Sequence, residues 1–128
     1  MAAYLLDTSV IVDVLNGKRG RKALLETVLR QGNTLACCAI NVAEVYAGMR
    51  PHEAQATRAL LKSLDYYEIT WEIAKHAGEI KFQQARRGRT LALADTIIAA
   101  VAVSNELKLI TDNARHYPMP GVEIFPLE

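Results

Sequence analysis

The chain is predicted to fold as an α/β protein, a three-layer α/β/α sandwich around a mostly parallel central sheet of four to five strands. Three observations predict this. Short apolar runs of strand length alternate with stretches of helical periodicity. Three of those runs stop at an acid-, amide- or hydroxyl-rich segment, the usual start of a following helix. Hydrophobic residues make up 51% of the 128 positions, enough for a core covered on both faces of a sheet. Strands that alternate with helices are joined by crossovers, which gives parallel neighbours.

The first strand is Tyr4-Leu5-Leu6, ended by Asp7-Thr8-Ser9, and a short helix over 10–15 closes at Asn16-Gly17. Leu24, Leu25, Val28 and Leu29 give 22–30 a helical stripe, with Gly32 as its stop signal. A second strand is expected over 34–38. Val42, Val45, Tyr46 and Met49 then recur at i, i+3, i+4 and i+7, the spacing of a helix face. Pro51 suits the first turn of a helix reaching about Leu64. A strand over 66–69 and helices over 73–87 and 94–107 follow, then strands over 108–110 and 122–125, the last after a Pro- and Gly-rich turn. No linker, repeat or low-complexity stretch interrupts this order, so residues 1–128 are expected to form a single domain.

Composition narrows the function only slightly. Fifteen basic against fourteen acidic side chains leave a net charge of +1, so a nucleic-acid role must rest on local basic patches. The longest fully apolar run, 97–103, is too short to cross a membrane, and acids interrupt the N-terminal apolar stretch, against a secretory signal. Cys37 and Cys38 are adjacent on a strand and point to opposite faces, a poor metal pair and a poor disulfide. Buried, reduced thiols are expected, in keeping with a cytoplasmic protein. Trp71 reads as a core or dimer anchor.

Four positions carry candidate chemistry. Asp7 ends the first strand with Thr8 and Ser9 beside it, and either caps the next helix or faces a ligand. Glu44 lies three residues after Asn41, which resembles a capping box with Asn41 as the cap. Asp95 opens an almost wholly apolar helix, as a cap or a site residue. Thr111-Asp112-Asn113 follows a strand and could form an Asx turn. Taken together they differ from four isolated caps. In a parallel sheet all strand-to-helix connections leave one edge, so these acids can meet in one crevice. Two carboxylates about 4 Å apart repel by roughly 4 kcal/mol at an effective dielectric near 20. Such an all-oxygen cluster suits Mg²⁺ or Mn²⁺, which activate water and neutralise charge developing on a phosphodiester.

Leu5-Leu6-Asp7-Thr8-Ser9-Val10-Ile11, the 41–48 segment around Glu44, the 93–100 segment around Asp95 and the 109–117 segment around Asp112-Asn113 together resemble the PIN-domain ribonucleases. Within that family the likeness is to the VapC toxins of toxin–antitoxin pairs, and it runs nearly end to end. The resemblance implies a PIN-type, Rossmann-like sheet and a Mg²⁺-dependent endoribonuclease, with Mn²⁺ a possible substitute. It implies that Asp7 and Asp95 hold the principal ion. Glu44 would complete the cluster through water or by orienting the attacking water, and Thr8 or Ser9 would support the metal or a phosphate. The family often has Thr, any residue, then Asp or Asn, which points to Asn113 and puts Asp112 in the variable slot. Which of the two faces the crevice stays open. The resemblance further implies a tRNA or ribosomal RNA substrate, a homodimer, and a VapB-like antitoxin that binds beside the acids in a larger complex.

Candidate RNA contacts are Arg86, Arg87 and Arg89 before the Asp95 segment, Arg115-His116 after Asn113, and Lys18, Arg19, Arg21 and Lys22 after the first helix. Each could instead be a solvated helix end. A haloacid-dehalogenase-type phosphatase would need an acid where Ser9 stands. A receiver domain would need an Asp after the strand that Thr70-Trp71 follows. A catalytically silent PIN-like RNA- or protein-binding module is the remaining alternative.

Overall fold

The computed structural model describes residues 1–127. In chain order the elements are β1 (Ala3–Leu6), α1 (Thr8–Leu15), α2 (Arg21–Arg30), β2 (Thr34–Cys38), α3 (Ala39–Ala47), a 3₁₀ turn at Pro51–Glu53, α4 (Ala54–Ser63), β3 (Asp65–Tyr67), α5 (Trp71–Arg86), α6 (Leu93–Ser104), β4 (Lys108–Thr111), a second 3₁₀ turn at Ala114–His116 and β5 (Ile124–Pro126). The five strands run in the order β3-β2-β1-β4-β5, and all four neighbouring pairs are parallel. The alternation of strand and helix thus delivers the expected sheet at the upper end of its strand count.

Side-chain alternation along the strands sorts the core into two halves. Leu5, Ala36, Cys38 and Leu109 face α5 and α6, against Ile73, Ala77, Ile80 and the buried run Ile98 to Ala102. Tyr4, Leu6, Leu35, Cys37 and Ile110 face the other way, against Val10 and Ile11 of α1, Leu25 and Val28 of α2, Val45 of α3 and Leu61 of α4. This is the three-layer sandwich. Helix α6 is apolar nearly all round because it is wedged between the sheet and α5, and its alanines let both approach closely.

Some boundaries differ from the sequence expectation. β3 begins one residue earlier and is shorter, and α6 stops at Ser104, where Asn105 and the left-handed Glu106 (φ 55°) turn the chain into β4. The last strand is Ile124–Pro126, not 122–125, because it pairs through Leu109–Ile124 and Ile110–Phe125. Pro51 starts a 3₁₀ turn that leads into α4, so the expected helix is split. Trp71 is 73% exposed at the first turn of α5 and is no core residue.

Cys37 and Cys38 are free, buried and on opposite faces of β2. Burial, and then the neighbouring Cys38 and Asp65 charges, push the Cys37 thiol up to about 11; burial raises Cys38 as well. Reactivity needs the thiolate. Neither thiol of the native protein is therefore expected to react with a disulfide reagent near pH 8, and both should react once the chain is unfolded in guanidinium. Prompt labelling of the native protein would contradict this packing.

Candidate active site

The sheet order changes direction at β1: β2 and β3 extend it one way, β4 and β5 the other. Crevices form at the carboxyl ends of strands around such a switch point. Asp7 sits there at the end of β1, and Thr111-Asp112-Asn113 at the end of β4.

Asp7 occupies the N-cap position of α1, yet its carboxylate makes no cap bond. Its backbone carbonyl accepts from Val10 and Ile11, while its own N–H extends the ladder to Ile110 O at 2.9 Å. The carboxylate is left for the crevice. It is 7% exposed and accepts a 2.6 Å hydrogen bond from the buried Thr111 hydroxyl on the neighbouring strand. The Thr111 oxygen in turn accepts from the Asn113 N–H, so the turn after β4 is organised by Thr111 and not by an Asx side chain.

Glu44 arrives differently from the capping-box reading. Helix α3 begins at Ala39, two residues before Asn41, with Cys38 at the N-cap. Asn41 is therefore inside the helix and fully buried. Its Oδ1 accepts from Cys38 N at 2.9 Å, and its Nδ2 donates to Leu6 O at 3.0 Å and Thr8 Oγ1 at 3.1 Å. Glu44, one turn further on the same face, is exposed and accepts from the Thr8 hydroxyl at 2.7 Å. A hydrogen-bond relay thus runs from Asn41 through Thr8 to Glu44.

Asp95 is the third residue of α6, behind an Ala92 N-cap that offers no side chain. It stands in the first turn, where the free N–H groups favour a negative charge. Its carboxyl is nonetheless raised above the ordinary range, first by burial, then by the Asp7 charge, with Glu44 adding to it; His116 and Tyr117 oppose the shift. Three carboxylates from three elements therefore share one electrostatic neighbourhood. The Tyr117 hydroxyl donates to Asp95 Oδ1 at 3.4 Å, and His116 Nδ1 lies 3.7 Å from Oδ2. Burial, with Asp7 and Asp95 beside it, holds the Tyr117 phenol far above its usual range, so it stays a neutral donor to the acids. A recess of about 350 Å³ opens beside Asp95, lined by Thr90, Leu91, Ala92, Arg115 and His116.

Asp112 has partners of its own. Its Oδ1 accepts from Ser9 Oγ at 3.0 Å, while Oδ2 lies 2.8 Å from Arg19 Nη1 and 3.8 Å from Arg21 Nη2. Arg21 is buried and also faces Asp13 at 3.7 Å. Within the 18–22 cluster Arg19 and Arg21 thus face Asp112 and Asp13, while Lys18 and Lys22 are exposed. Arg86, Arg87 and Arg89 end α5 and enter the loop to α6, all exposed; Arg86 stacks over Phe82 and Arg89 reaches Gln84. Lys81 ties that loop back by donating to Leu91 O.

The donor set is all oxygen, as a hard cation requires. Among the described residues no three acids are drawn into a ready-made cage. Reasoning from sequence missed the Asn41 bridge, the Tyr117 hydroxyl and the Arg19–Asp112 pair. Only Asn41, a polar residue in an apolar stretch three positions before an acid, carried a local signal, and that signal pointed to a cap.

The PIN domain family profile matches residues 4–121. Ribonuclease VapC19 of Mycobacterium tuberculosis is 30% identical over 115 residues, spanning 90% of this chain and 92% of that one. Among solved structures, a toxin-antitoxin complex from Klebsiella pneumoniae has a chain 31% identical, covering 98% of each with a TM-score of 0.78. The Rickettsia felis VapBC2 complex superposes on 98% of this chain and 99% of its own with a TM-score of 0.84; at 21% identity it speaks to the fold alone. A five-stranded parallel sheet with its acids at the switch point, matched over nearly its full length by this profile, makes the chain a member of the PIN domain family.

Proposed function

We propose that this protein is a metal-dependent endoribonuclease, the toxin of a type II toxin–antitoxin pair, which hydrolyses phosphodiester bonds in structured RNA such as tRNA or ribosomal RNA. The observation that carries this reading is the convergence of Asp7, Glu44 and Asp95 on one edge of the sheet, close enough for the first two to raise the third. It is supported by relatives named as ribonucleases and by solved toxin–antitoxin complexes of the same fold. The partner would be a VapB-like antitoxin. A homodimer and a cytoplasmic site of action belong to the same proposal; among the described residues no helix is long and apolar enough to cross a membrane.

In this reading Asp7 and Asp95 hold Mg²⁺ or Mn²⁺ and Glu44 holds or orients a water beside it. A bound ion would supply an activated water and neutralise charge developing on the phosphodiester. The chain's own groups prepare that place. Thr111 fixes the Asp7 carboxylate, Thr8 fixes Glu44, and the Tyr117 hydroxyl donates to Asp95. Arg115 beside the recess, and the exposed Arg86, Arg87 and Arg89 at the end of α5 and in the loop before α6, would contact phosphates, which position RNA without reading its sequence.

The test is cleavage of total cellular RNA by purified, antitoxin-free protein with Mg²⁺ or Mn²⁺ and with EDTA. Discrete fragments that appear only with metal are expected. A folded protein that cuts no RNA under either ion would instead favour the non-cleaving binding module.

A further inference from the structure

A slot of about 210 Å³ opens where α1, α3 and α4 meet. Glu44 lines it, so the slot shares a carboxylate with the acid trio. Its walls are aliphatic: Val12 and Leu15 of α1, Val45 of α3 and Met49 just beyond that helix. Val45 and Thr57 are its two buried lining residues and mark its deep end; the rest of the lining is exposed or half-buried. Thr57 is 1% exposed, and its hydroxyl has no hydrogen-bond partner among the described residues. A helical threonine can return its hydroxyl to the carbonyl four residues back, as Thr27 does to Ala23 in α2. Thr57 does not. A buried polar group left unpaired is a cost that a valine of the same shape would spare the fold.

The rim sets the charge of the occupant. Arg50 and Glu53 neutralise each other through Nη2–Oε2 at 3.0 Å and Nε–Oε1 at 3.2 Å. Glu44 has no Lys or Arg partner among the described residues, so the rim is net negative. That disfavours a phosphate or a carboxylate. A basic side chain would meet Glu44 at the mouth and leave Thr57 unpaired, or else bury its charge at the deep end without a counter-charge. A neutral, flat group with apolar faces and a polar edge satisfies both the walls and the hydroxyl. The volume is below the roughly 300–1,000 Å³ of pockets for drug-sized ligands, which suits a single ring system. A thioether such as that of Met49 packs well against an aromatic edge.

We propose that this slot takes one nucleobase of the RNA substrate and that the Thr57 hydroxyl bonds to the polar edge of that base. The proposal rests on the nuclease reading above: with the scissile phosphate at the acids, the slot beside Glu44 falls to a neighbouring nucleotide. Unpaired bases splayed out of a loop present such edges, and proteins read RNA sequence mostly from them. Thr57 is then a specificity-determining residue, a role distinct from that of the basic side chains, which hold the backbone whatever its sequence.

The test starts from the ends of the cellular RNA fragments that the purified full chain releases with Mn²⁺. Sequencing them is expected to show one base enriched at a fixed position beside the cut. Short hairpins copied from the strongest cut, carrying each of the four bases or an abasic sugar at that position, then measure the preference. The parent should cut the abasic hairpin as poorly as the disfavoured ones. Thr57→Val keeps the shape and loses the hydroxyl. It should lower kcat/KM on the favoured hairpin about tenfold, mainly through KM, toward the level of the others. Its melting temperature should equal or exceed the parent's, and its Mn²⁺ affinity should match, because the acids are untouched. Thr57→Ser should restore the preference. Cleavage without any base preference, or an abasic hairpin cut as well as the favoured one, would overturn the proposal alone. So would a folded Thr57→Val protein with the parent's full preference; if that variant binds an antitoxin more weakly instead, the slot belongs to the protein partner. A folded parent that cuts no RNA would overturn the nuclease reading and this proposal with it.

Discussion

Asp95→Asn is expected to lower RNA cleavage by at least about a hundredfold while leaving the metal-free protein as stable as its parent, or more so. Loss of a group that merely orients a metal ligand costs about 10–100-fold, so loss of the carboxylate itself should exceed that range. The stability half follows from the electrostatics. Burial and the Asp7 charge raise the Asp95 carboxyl, so the folded chain holds that proton more tightly than the unfolded chain does. The stability this contributes is complete below the ordinary carboxylate range and is lost as pH rises through the folded value. At neutral pH without metal the ionised Asp95 is a net cost, and the amide removes it. Melting curves with and without Mn²⁺ should therefore cross over: the parent gains stability from the ion and the variant gains little. Asp7→Asn should lose cleavage equally but stability as well, because Thr111 would exchange a charge-assisted 2.6 Å bond for a neutral one. Cleavage at the parent rate by either variant would remove that residue from the site.

Part of the convergence behind this prediction was legible from the chain because it depends on topology; the arrival of Asp95, which follows α5 and not a strand, was not. Asp7, the Glu44 segment and Thr111-Asp112-Asn113 each follow a strand, and parallel strands put such positions on one edge whatever the order of the sheet. The assignment of partners was not legible. Asp7 and Asp95 could have been caps by residue type, and only the backbone carbonyl of Asp7 and the featureless Ala92 N-cap separate those roles. Tyr117 lies 22 positions from Asp95, and Arg19 lies 93 from Asp112; neither separation has a periodicity to betray it. Trp71 is no core residue, although large aromatic residues are usually well buried, because the first turn of α5 projects it into solvent. Of Asp112 and Asn113, the Asp112 carboxylate turns to Ser9 and Arg19, while Asn113 gives its backbone N–H to the Thr111 hydroxyl oxygen.

Asn41→Ala is expected to destabilise the protein by about 3 kcal/mol and to impair cleavage. The side chain joins three things that no backbone bond joins: the Cys38 N–H ending β2, the Leu6 carbonyl ending β1 and the Thr8 hydroxyl. Alanine would leave a buried N–H and a buried C=O unpaired, at about 1–3 kcal/mol each. For a domain of this size that corresponds to a fall in melting temperature of about 10 °C. Two further variants separate hydrogen bonding from volume. Asn41→Leu fills the space and offers no polar group, so it should be nearly as destabilised as Asn41→Ala. Asn41→Asp keeps the acceptor for Cys38 but turns a carboxylate toward the Leu6 carbonyl, which should be worse. Urea melts of the three would settle the order, and a leucine variant as stable as the parent would show that Asn41 serves only to fill space. The effect on cleavage has a separate cause. Asn41 donates to Thr8 and so fills an acceptor site of the hydroxyl, whose single proton then points at Glu44. Without Asn41 the hydroxyl is free to rotate, and Glu44 loses the contact that aims it at the other two acids.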